Sequence, residues 1–516
     1  MTSVFDHPIL AAIDLGSNSF RLKIVRVENN QLYTLDILRE SIRLAAGLDE
    51  NQQLDGASQQ RALACLARFG ERLHGLPKDA VRAVGTNALR LAKNSSKFLQ
   101  QAETALGYPI EIIAGREEAR LIYLGVVYSL PQIDGKRLVV DIGGGSTEFI
   151  IGQGVNPLNL ESLNMGCVSH SLKFFPNGKI TSTNMQQAEY AARDEIRTIS
   201  NQFTHPHWDV AFGSSGSARA LGEIFEQSGL ANGNEGDINL AGLERLRELL
   251  LNAGDVTRLN LPGLKPERAP VLPGGLAIML AAFRELGIAR MQITSSALRE
   301  GILYDLLDRA HDQDMRDVMV RQMMQCYHVD APQALRVERL AKHLAQQFLG
   351  EHTNQQSLRT LSWAASLHEI GLHIAYEGYH KHTAYLLKNA DMPGFTKKEQ
   401  DRLSLLTLAH RGGLTKMRGL LDSAEDVALV MALRLAVIFC RNRNNAPLTI
   451  PHPASRIADC VPLVQLKIQA RFSGTKFYLE LDSQWLTQHP LTHAALQAEV
   501  KEWQEFGYGM QITQAA

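Results

Sequence analysis

Two glycine-rich loops, each directly after a short apolar run, constrain the fold of this 516-residue chain more than any other feature. The first follows Ile9–Ile13 and reads Asp14-Leu15-Gly16-Ser17-Asn18-Ser19. The second follows Leu138–Val140 and reads Asp141-Ile142-Gly143-Gly144-Gly145-Ser146-Thr147-Glu148. Glycines let backbone N–H groups close on an anion, and the hydroxyl and amide side chains add donors. Two such loops, each opening an α/β unit, predict two lobes that face each other across a phosphate group.

A third glycine-rich turn extends the predicted phosphate cradle. It reads Gly213-Ser214-Ser215-Gly216-Ser217 and follows another strand-like run, Trp208–Phe212. One Asp-x-Gly turn alone is weak evidence, because most such turns are hairpin corners. The residues predicted to contact phosphate are Asp14, Gly16, Ser17, Asn18, Ser19, Gly143, Gly144, Gly145, Ser146, Thr147, Gly213, Ser215 and Gly216.

Composition limits the class of protein and its partners. The formal net charge of −1 gives no overall field that would attract a polyanion, so we expect no nucleic-acid partner. The cysteines are scattered without a Cys-x-x-Cys motif, which favours free thiols in a reducing cytoplasm. No secretory signal and no long apolar window are visible, which predicts a soluble cytoplasmic protein and leaves peripheral association with a membrane open. The five cysteines are Cys65, Cys167, Cys326, Cys440 and Cys460.

The pattern of apolar residues divides the chain into four parts. Strand and helix patterns alternate in the first three hundred residues, and from Gln313 to Asn442 the apolar residues recur with the helical period. A Pro-containing stretch, Asn444–Pro453, then introduces alternating strands such as Val464–Phe472. We therefore predict two α/β domains, an all-α domain and a small α/β domain. Their predicted bounds are 1–130, 131–308, 309–445 and 446–516.

Six ordered motifs between residues 10 and 305 carry a specific resemblance. Together they resemble the exopolyphosphatase / guanosine pentaphosphate phosphatase family. The resemblance implies two actin-like, ribonuclease-H-type domains with the active site in the cleft between them, then an all-α HD-like domain and a small α/β domain. It also implies a homodimer. The motifs are Asp14-x-Gly-Ser-Asn-Ser, Gly85-Thr-Asn-Ala-Leu-Arg90, Gly115-Arg-Glu-Glu-Ala-Arg120, Asp141-Ile-Gly-Gly-Gly-Ser-Thr-Glu148, Met165-Gly-Cys-Val-Ser169 and Ala297-Leu-Arg-Glu-Gly301.

The resemblance assigns roles to three residues outside the loops. Glu118 is the implied general base and Glu117 a flanking acid, at the start of a helix on which only one of the two can face the cleft. Arg90 is suited to fork two phosphate oxygens. The alternatives are acids that favour a helix N-terminus for Glu117 and Glu118, and a surface cation for Arg90.

Asp141 and Glu148 offer carboxylate oxygens for Mg²⁺, which prefers one or two carboxylates with water and phosphate in its other positions. An additional monovalent cation is left open. The alternative for Glu148 is a charge at a strand edge. Cys167 lies within one of the motifs, and we favour a structural role for it because a small buried thiol is commoner than a reactive one.

The all-α domain contains a segment that resembles a metal site. His368 and His373 are five residues apart, whereas zinc-protease histidines are four apart. The segment is closer to an HD-type site, but three ligand positions are altered: Glu369 replaces the aspartate, Gln333 replaces a histidine, and Val437 stands where a second aspartate is expected. We therefore expect a degenerate HD-like domain without metal.

Two substrates stay open at this stage. Lys and Arg outnumber acids between Gly371 and Arg443, which favours inorganic polyphosphate gripped along a basic path. The runner-up is guanosine pentaphosphate (pppGpp), from which the 5′ γ-phosphate would be removed. The sequence reveals no pocket for its base. A non-catalytic polyphosphate or alarmone sensor is a third reading. A sugar kinase of similar fold is disfavoured by the Glu118 motif.

Overall fold

The structure is a computed structural model, and the residues that it describes form two compact units. The first comprises Met1–Asp314 with Pro393–Thr396, and the second comprises Met315–Met392 with Lys397–Ala516. The finer division into four domains stays a prediction. Cys460, the stretch Asn444–Pro453 and most of the strand predicted at Val464–Phe472 lie outside the described residues. The structure describes residues 8–28, 31–131, 133–230, 237–310, 314–421, 423–443, 469–473 and 475–515.

The first unit opens with a five-stranded sheet in the order β3-β2-β1-β4-β5. Strands β1, β2 and β3 are antiparallel neighbours, whereas β4 runs parallel to β1 and β5 runs parallel to β4. The first glycine-rich loop is the turn between β1 and β2, as the sequence predicts. The strands are β1 Ile9–Leu15, β2 Ser19–Glu28, β3 Gln31–Ser41, β4 Val81–Gly85 and β5 Ile110–Ile112.

A second sheet in the same unit repeats this plan. Its order is β10-β11-β9-β6-β7-β8, so that β8-β7-β6-β9-β11 reproduces the first sheet and β10 adds an edge. The antiparallel and parallel pairings also match, and the second glycine-rich loop joins β6 to β7. The predicted duplication is therefore confirmed. The strands are β6 Lys136–Ile142, β7 Thr147–Gln153, β8 Asn156–Leu163, β9 Val210–Ser214, β10 Ile238–Asn239 and β11 Arg290–Ile293.

Helices pack against both sheets, and α10 is the most deeply buried of them. Pro266–Leu286 is long and apolar enough to span a membrane, but 72% of its most apolar window is buried inside the protein. A helix that is apolar all round is expected in the core of a large domain. The helices are α1 Gly56–Leu73, α2 Asn87–Leu91, α3 Ser95–Leu106, α4 Gly115–Ser129, α5 Cys167–Phe174, α6 Ser182–Arg197, α7 Ser200–Phe203, α8 Ser215–Gln227, α9 Leu240–Ala253, α10 Leu272–Leu286 and α11 Leu298–Ala310.

Helices α4 and α11 cross at very short range, and glycine makes the crossing possible. A Cβ atom on Gly301 would lie 1.7 Å from the carbonyl oxygen of Leu121, and one on Gly125 would lie 2.2 Å from that of Ala297. Asp305 of α11 also accepts hydrogen bonds from Arg82 of β4 and Arg120 of α4, all three side chains being buried. Because α4 carries Glu118, this crossing fixes the helix of the predicted general base.

The second unit is helical with a small sheet at its end, as the sequence predicts for the fold of this region. The order of the sheet is β12-β13-β14, with β13 antiparallel to β12 and parallel to β14. A buried ion pair between Arg434 and Glu499 joins α17 to α19. The elements are α12 Met315–Cys326, α13 Ala331–Leu349, α14 Gln355–Leu367, α15 Tyr379–Asn389, α16 Lys397–Ala409, α17 Ala424–Phe439, β12 Gln469–Ser473, β13 Lys476–Asp482, α18 Ser483–Gln488, α19 Pro490–Phe506 and β14 Gly509–Ala515.

The HD-like segment lies in this unit. Glu369 forms an ion pair with Arg443, and the Gln333 amide donates to the carbonyl oxygen of Cys440. His368 is buried beside His410, and burial lowers the pKa of both rings. Two of the three positions that depart from the HD pattern, Glu369 and Gln333, therefore have polar partners within the unit.

The helix crossing gives a test of the fold. Gly301→Ala should lower the free energy of unfolding by about 1–3 kcal/mol or more, the range typical of overpacking. The new methyl group would meet the backbone of α4 at Leu121, which cannot rotate away. Thermal unfolding measures the effect. Gly56→Ala is the matched control, since no heavy atom lies within 4 Å of its new Cβ. Equal melting temperatures for the two variants would contradict the crossing.

Candidate active site

The two glycine-rich loops meet, and glycines of the second loop set how closely. A Cβ on Gly144 would lie 3.2 Å from Cβ of Ser17 and 3.4 Å from the backbone nitrogen of Asn18. A Cβ on Gly145 would lie 2.3 Å from Oδ1 of Asn87. Larger residues here would push the lobes apart. The predicted opposition of the loops is therefore present in the structure.

A cleft of about 110 Å³ lies between the loops, and most of the predicted site residues line it. It also receives the first turn of α8, where backbone N–H groups and the helix dipole favour an anion. Ser215 adopts φ 88° there, in the left-handed region that non-glycine residues rarely occupy. The predicted residues that line the cleft are Asp14, Gly16, Ser17, Asn18, Ser19, Glu118, Asp141, Gly143, Gly144, Ser146, Ser215 and Gly216.

Six predicted residues do not line this cleft. Gly145 packs on Asn87, and Gly213 packs on Met291 and Ala218. The Thr147 hydroxyl is fully buried and donates to the carbonyl oxygen of Met165. These three support the loops from behind. The others are Arg90, Glu117 and Glu148.

Glu117 is directed away from the cleft. Its carboxylate accepts two hydrogen bonds from Arg120, at 2.8 Å each, and one from the backbone N–H of Gly394 at 2.6 Å. Its exposed fraction is 1%. The prediction that Glu117 is a flanking catalytic acid is therefore not supported by its position, whereas its neighbour on the helix, Glu118, faces the cleft.

Arg90 also differs from its predicted position. Its Nη1 lies 3.4 Å from Oε2 of Glu118 and donates to the carbonyl oxygen of Ile113 at 2.8 Å. Its Nη1 is thus held between the Glu118 carboxylate and the backbone of Ile113. Burial raises the pKa of Glu118 to about 7, and Arg90 opposes that rise. Arg90 is therefore placed to orient the Glu118 carboxylate and to lower its pKa.

Several carboxylates lie in or beside the cleft. Burial raises the pKa of Asp141 to about 6 and also raises the pKa of Asp14, although the nearby Arg21 opposes the rise in Asp14. Glu148 is the cross-strand neighbour of Asp141 and accepts a hydrogen bond from Ser162 at 2.8 Å. Burial, together with the charges of Glu118 and Asp141, holds the pKa of Glu148 well above its usual range.

The cleft also contains arginines that the sequence analysis missed. Arg21 and Arg268 line the cleft, and Arg268 crosses directly over Gly216, where a Cβ would lie 1.8 Å from its Nη2. Burial lowers the pKa of Arg21 to about 10 and lowers the pKa of Arg268 and Arg219 as well. Within the described residues, none of the three forms an ion pair with a carboxylate. Unpaired guanidinium groups beside glycine-rich loops are typical of a polyphosphate-binding site.

Comparison with known proteins agrees with this geometry. Residues 23–310 match the Ppx/GppA phosphatase family, and residues 315–500 match Ppx/GppA phosphatase, domain III. A protein of Vibrio cholerae serotype O1 and one of Vibrio campbellii are each 37% identical over 516 residues, which is 99% of both chains. Both are named guanosine-5′-triphosphate,3′-diphosphate pyrophosphatase. The chain belongs to the Ppx/GppA phosphatase family.

Solved structures agree on the fold of the first unit. A crystal structure of an exopolyphosphatase from Cytophaga hutchinsonii matches with a TM-score of 0.53 and 24% identity, covering 58% of this chain and 98% of that one. An exopolyphosphatase-like protein matches with a TM-score of 0.51 and 25% identity, covering 58% and 97%. As a Ppx/GppA family member, the protein is a phosphoanhydride hydrolase.

The cleft of this Ppx/GppA phosphatase suits Mg²⁺ only in part. Among the described residues, no group of three or more His, Cys, Asp or Glu side chains could enclose a metal ion. Magnesium does not require such a cage, because it commonly takes one or two carboxylates and fills its other positions with water and phosphate. Asp141 and Asp14 face the cleft and could supply those carboxylates. Glu148 is 1% exposed, lies beside Asp141 on the neighbouring strand and does not line the cleft.

The contact between Arg90 and Glu118 predicts a change in the pH profile. Arg90→Met removes a positive charge that favours ionised Glu118, so the acidic limb of the kcat/KM profile should move to higher pH by about 1 unit. Activity near pH 7 should then fall more than activity near pH 9. Arg116→Met is the control, since Arg116 lies on α4 with Glu118 but pairs with Glu161. An unshifted limb in Arg90→Met would show that Arg90 does not act on the base.

Proposed function

We propose that this protein hydrolyses the terminal 5′-phosphoanhydride of pppGpp and releases orthophosphate. The choice of substrate is supported by relatives that are 37% identical over 99% of both chains. These relatives are named guanosine-5′-triphosphate,3′-diphosphate pyrophosphatase. The cleft supports the reaction class, because it combines glycine-rich loops, unpaired arginines and one carboxylate that faces the cleft from a helix.

In the proposed mechanism, Glu118 accepts the proton of the attacking water. Its pKa of about 7 keeps a large fraction ionised near neutrality while leaving it basic enough to take that proton. The backbone N–H groups of the loops hold the terminal phosphoryl group, and Arg21 and Arg268 stabilise the charge that builds up on its oxygens. Arg90 orients Glu118. We propose that Asp141, with Asp14 beside it, holds Mg²⁺, which neutralises phosphate charge when bound.

Inorganic polyphosphate is the second candidate, because its terminal phosphoanhydride presents the same atoms to the cleft. The sequence-based preference for it depended on the basic stretch between Gly371 and Arg443. Three of those cations, Arg402, Arg434 and Arg443, pair with carboxylates in the structure. The argument for a basic path is correspondingly weaker. A non-catalytic sensor has little use for several buried carboxylates beside an anion.

A substrate panel tests the proposed function. Phosphate release with Mg²⁺ is measured from pppGpp, polyphosphate and ATP in parallel, and kcat/KM should be highest for pppGpp. Glu118→Gln should lower kcat by about 10² to 10⁴ while substrate still binds. Glu117→Gln is the matched control: it should lower the melting temperature, because Glu117 is buried against Arg120, and retain most turnover. A higher kcat/KM for polyphosphate would reject pppGpp as the preferred substrate.

Thermal unfolding tests the proposed Mg²⁺ site without an activity assay. The raised carboxyl pKa values mean that the folded protein binds protons more tightly than the unfolded chain, so its stability should fall as the pH rises through about 6 to 7. Bound Mg²⁺ should stabilise the folded protein by about 2.7 kcal/mol at about 100 times its Kd. Because protons compete with Mg²⁺ for the same carboxylates, this stabilisation should be larger at about pH 8 than at about pH 5.5. Asp141→Asn should lose this effect. The exposed control Asp194→Asn should keep it.

Four further expectations stay predictions: the homodimer, the additional monovalent cation, the cytoplasmic location and the peripheral association with a membrane.

A further inference from the structure

A second, larger cavity opens directly beside the active-site cleft. Its volume is about 800 Å³, against about 110 Å³ for the cleft. Asn18 and Arg268 line both cavities, so a ligand with its phosphates in the cleft can continue into the larger one. Small-molecule sites typically measure about 300–1,000 Å³ and combine an apolar lining with a few polar groups. The mechanism proposed above makes no use of this space.

One wall of the second cavity is apolar. It includes Leu172 of α5, Phe175 after that helix, and Val256 and Val271. Leu172 is exposed to 61%, which is unusual for a leucine next to a phosphate site. A wall of this kind adds nothing to the binding of a bare phosphate chain, which is charged along its whole length. It suits the flat, partly apolar faces of a nucleoside.

The lining of the second cavity also includes the cations Arg39 and Arg43. Within the described residues, neither forms an ion pair with a carboxylate. Arg39 also lowers the pKa of Arg21, Arg219 and Arg268, behind the larger effect of burial, so it belongs to the same positive region. Two unpaired guanidinium groups outside the cleft provide for a second anionic group on the same ligand.

The backbone fixes Arg43 to the phosphate-binding loop. The N–H groups of Ile42 and Arg43 both donate to the carbonyl oxygen of Asn18, at 3.1 and 2.8 Å, and the N–H of Ala45 donates to that of Ser17 at 2.9 Å. Arg43 adopts φ 55°, in the left-handed region. Strained residues of this kind persist where surrounding contacts hold them, commonly at ligand sites.

The geometry points to the second cavity as the site of the nucleoside and of a 3′-diphosphate, with the nucleoside against the wall of Leu172 and the 3′-diphosphate on Arg39 and Arg43. This assignment rests on the proposed function and deepens it. The ligand class is a ribonucleoside 5′-triphosphate that carries a further phosphate group on its 3′-oxygen. Recognition of that second group would separate pppGpp from GTP, which presents the same 5′-triphosphate.

Calorimetric binding to Glu118→Gln protein with Mg²⁺ tests the assignment independently of turnover. The ligands are pppGpp, GTP and tripolyphosphate. Adding Arg43→Asn, which removes the charge while asparagine tolerates positive φ, should weaken pppGpp binding about 10-fold, or about 1.4 kcal/mol, and leave GTP and tripolyphosphate unchanged. Adding Leu172→Asp should weaken both nucleotides and leave tripolyphosphate unchanged.

Two matched controls should change none of the three affinities. Arg245→Asn removes an exposed arginine of α9, and Leu158→Asp changes an exposed leucine of β8 that lines neither cavity. Melting temperatures confirm that all variants are folded.

Each outcome decides a separate question. Unchanged pppGpp affinity in both Arg43→Asn and Leu172→Asp would overturn the assignment, and so would a parallel loss of tripolyphosphate binding, which would indicate a path for bare phosphate. If the binding results are as expected but wild-type protein fails to release phosphate from pppGpp, the second cavity is a nucleotide site and the proposed function is wrong.

Discussion

The central constraint of this structure is the concentration of buried charges of both signs around one narrow cleft. Its lining includes the acids Asp14, Asp141 and Glu118 and the arginines Arg21 and Arg268. Buried charges normally require a partner, because their removal from water is costly. Glu118 contacts Arg90, but among the described residues the other four form no ion pair, so the fold leaves room for a ligand that carries charges of both signs. A phosphate chain with a bound cation is such a ligand.

The duplication explains how charges of both signs come together at the cleft. Asp14 and Asp141 occupy equivalent places at the ends of β1 and β6, and each faces a cross-strand neighbour seven residues later in the chain. In the first sheet that neighbour is Arg21, and in the second it is Glu148. One framework therefore supplies a cation from one lobe and a carboxylate from the other. The two lobes are alike in backbone and opposite in this charge.

Much of the fold could be predicted from the sequence, because its signals are local. The loops at Asp14 and Asp141 and the helical period after Gln313 depend only on neighbouring residues, and the structure agrees with them. The position of Glu118 was also predictable from its motif. The direction of Glu117 was not, because Gly394, whose backbone N–H it binds, is 277 residues away in the sequence. Residues that meet through tertiary contacts, such as Arg268 over Gly216, leave no local pattern to read.

The close crossing of α4 and α11 has a mechanical consequence. Helix α4 bears Glu118 and follows the first sheet, whereas α11 follows the last strand of the second sheet, and the two touch backbone to backbone at Gly125 and Gly301. Such a contact permits rolling but very little sliding. If the lobes pivot there, atoms near the axis travel least and the loop tips travel farthest. Glu118, the proposed proton acceptor, would then be nearly stationary while the loops carry the bound phosphate toward it.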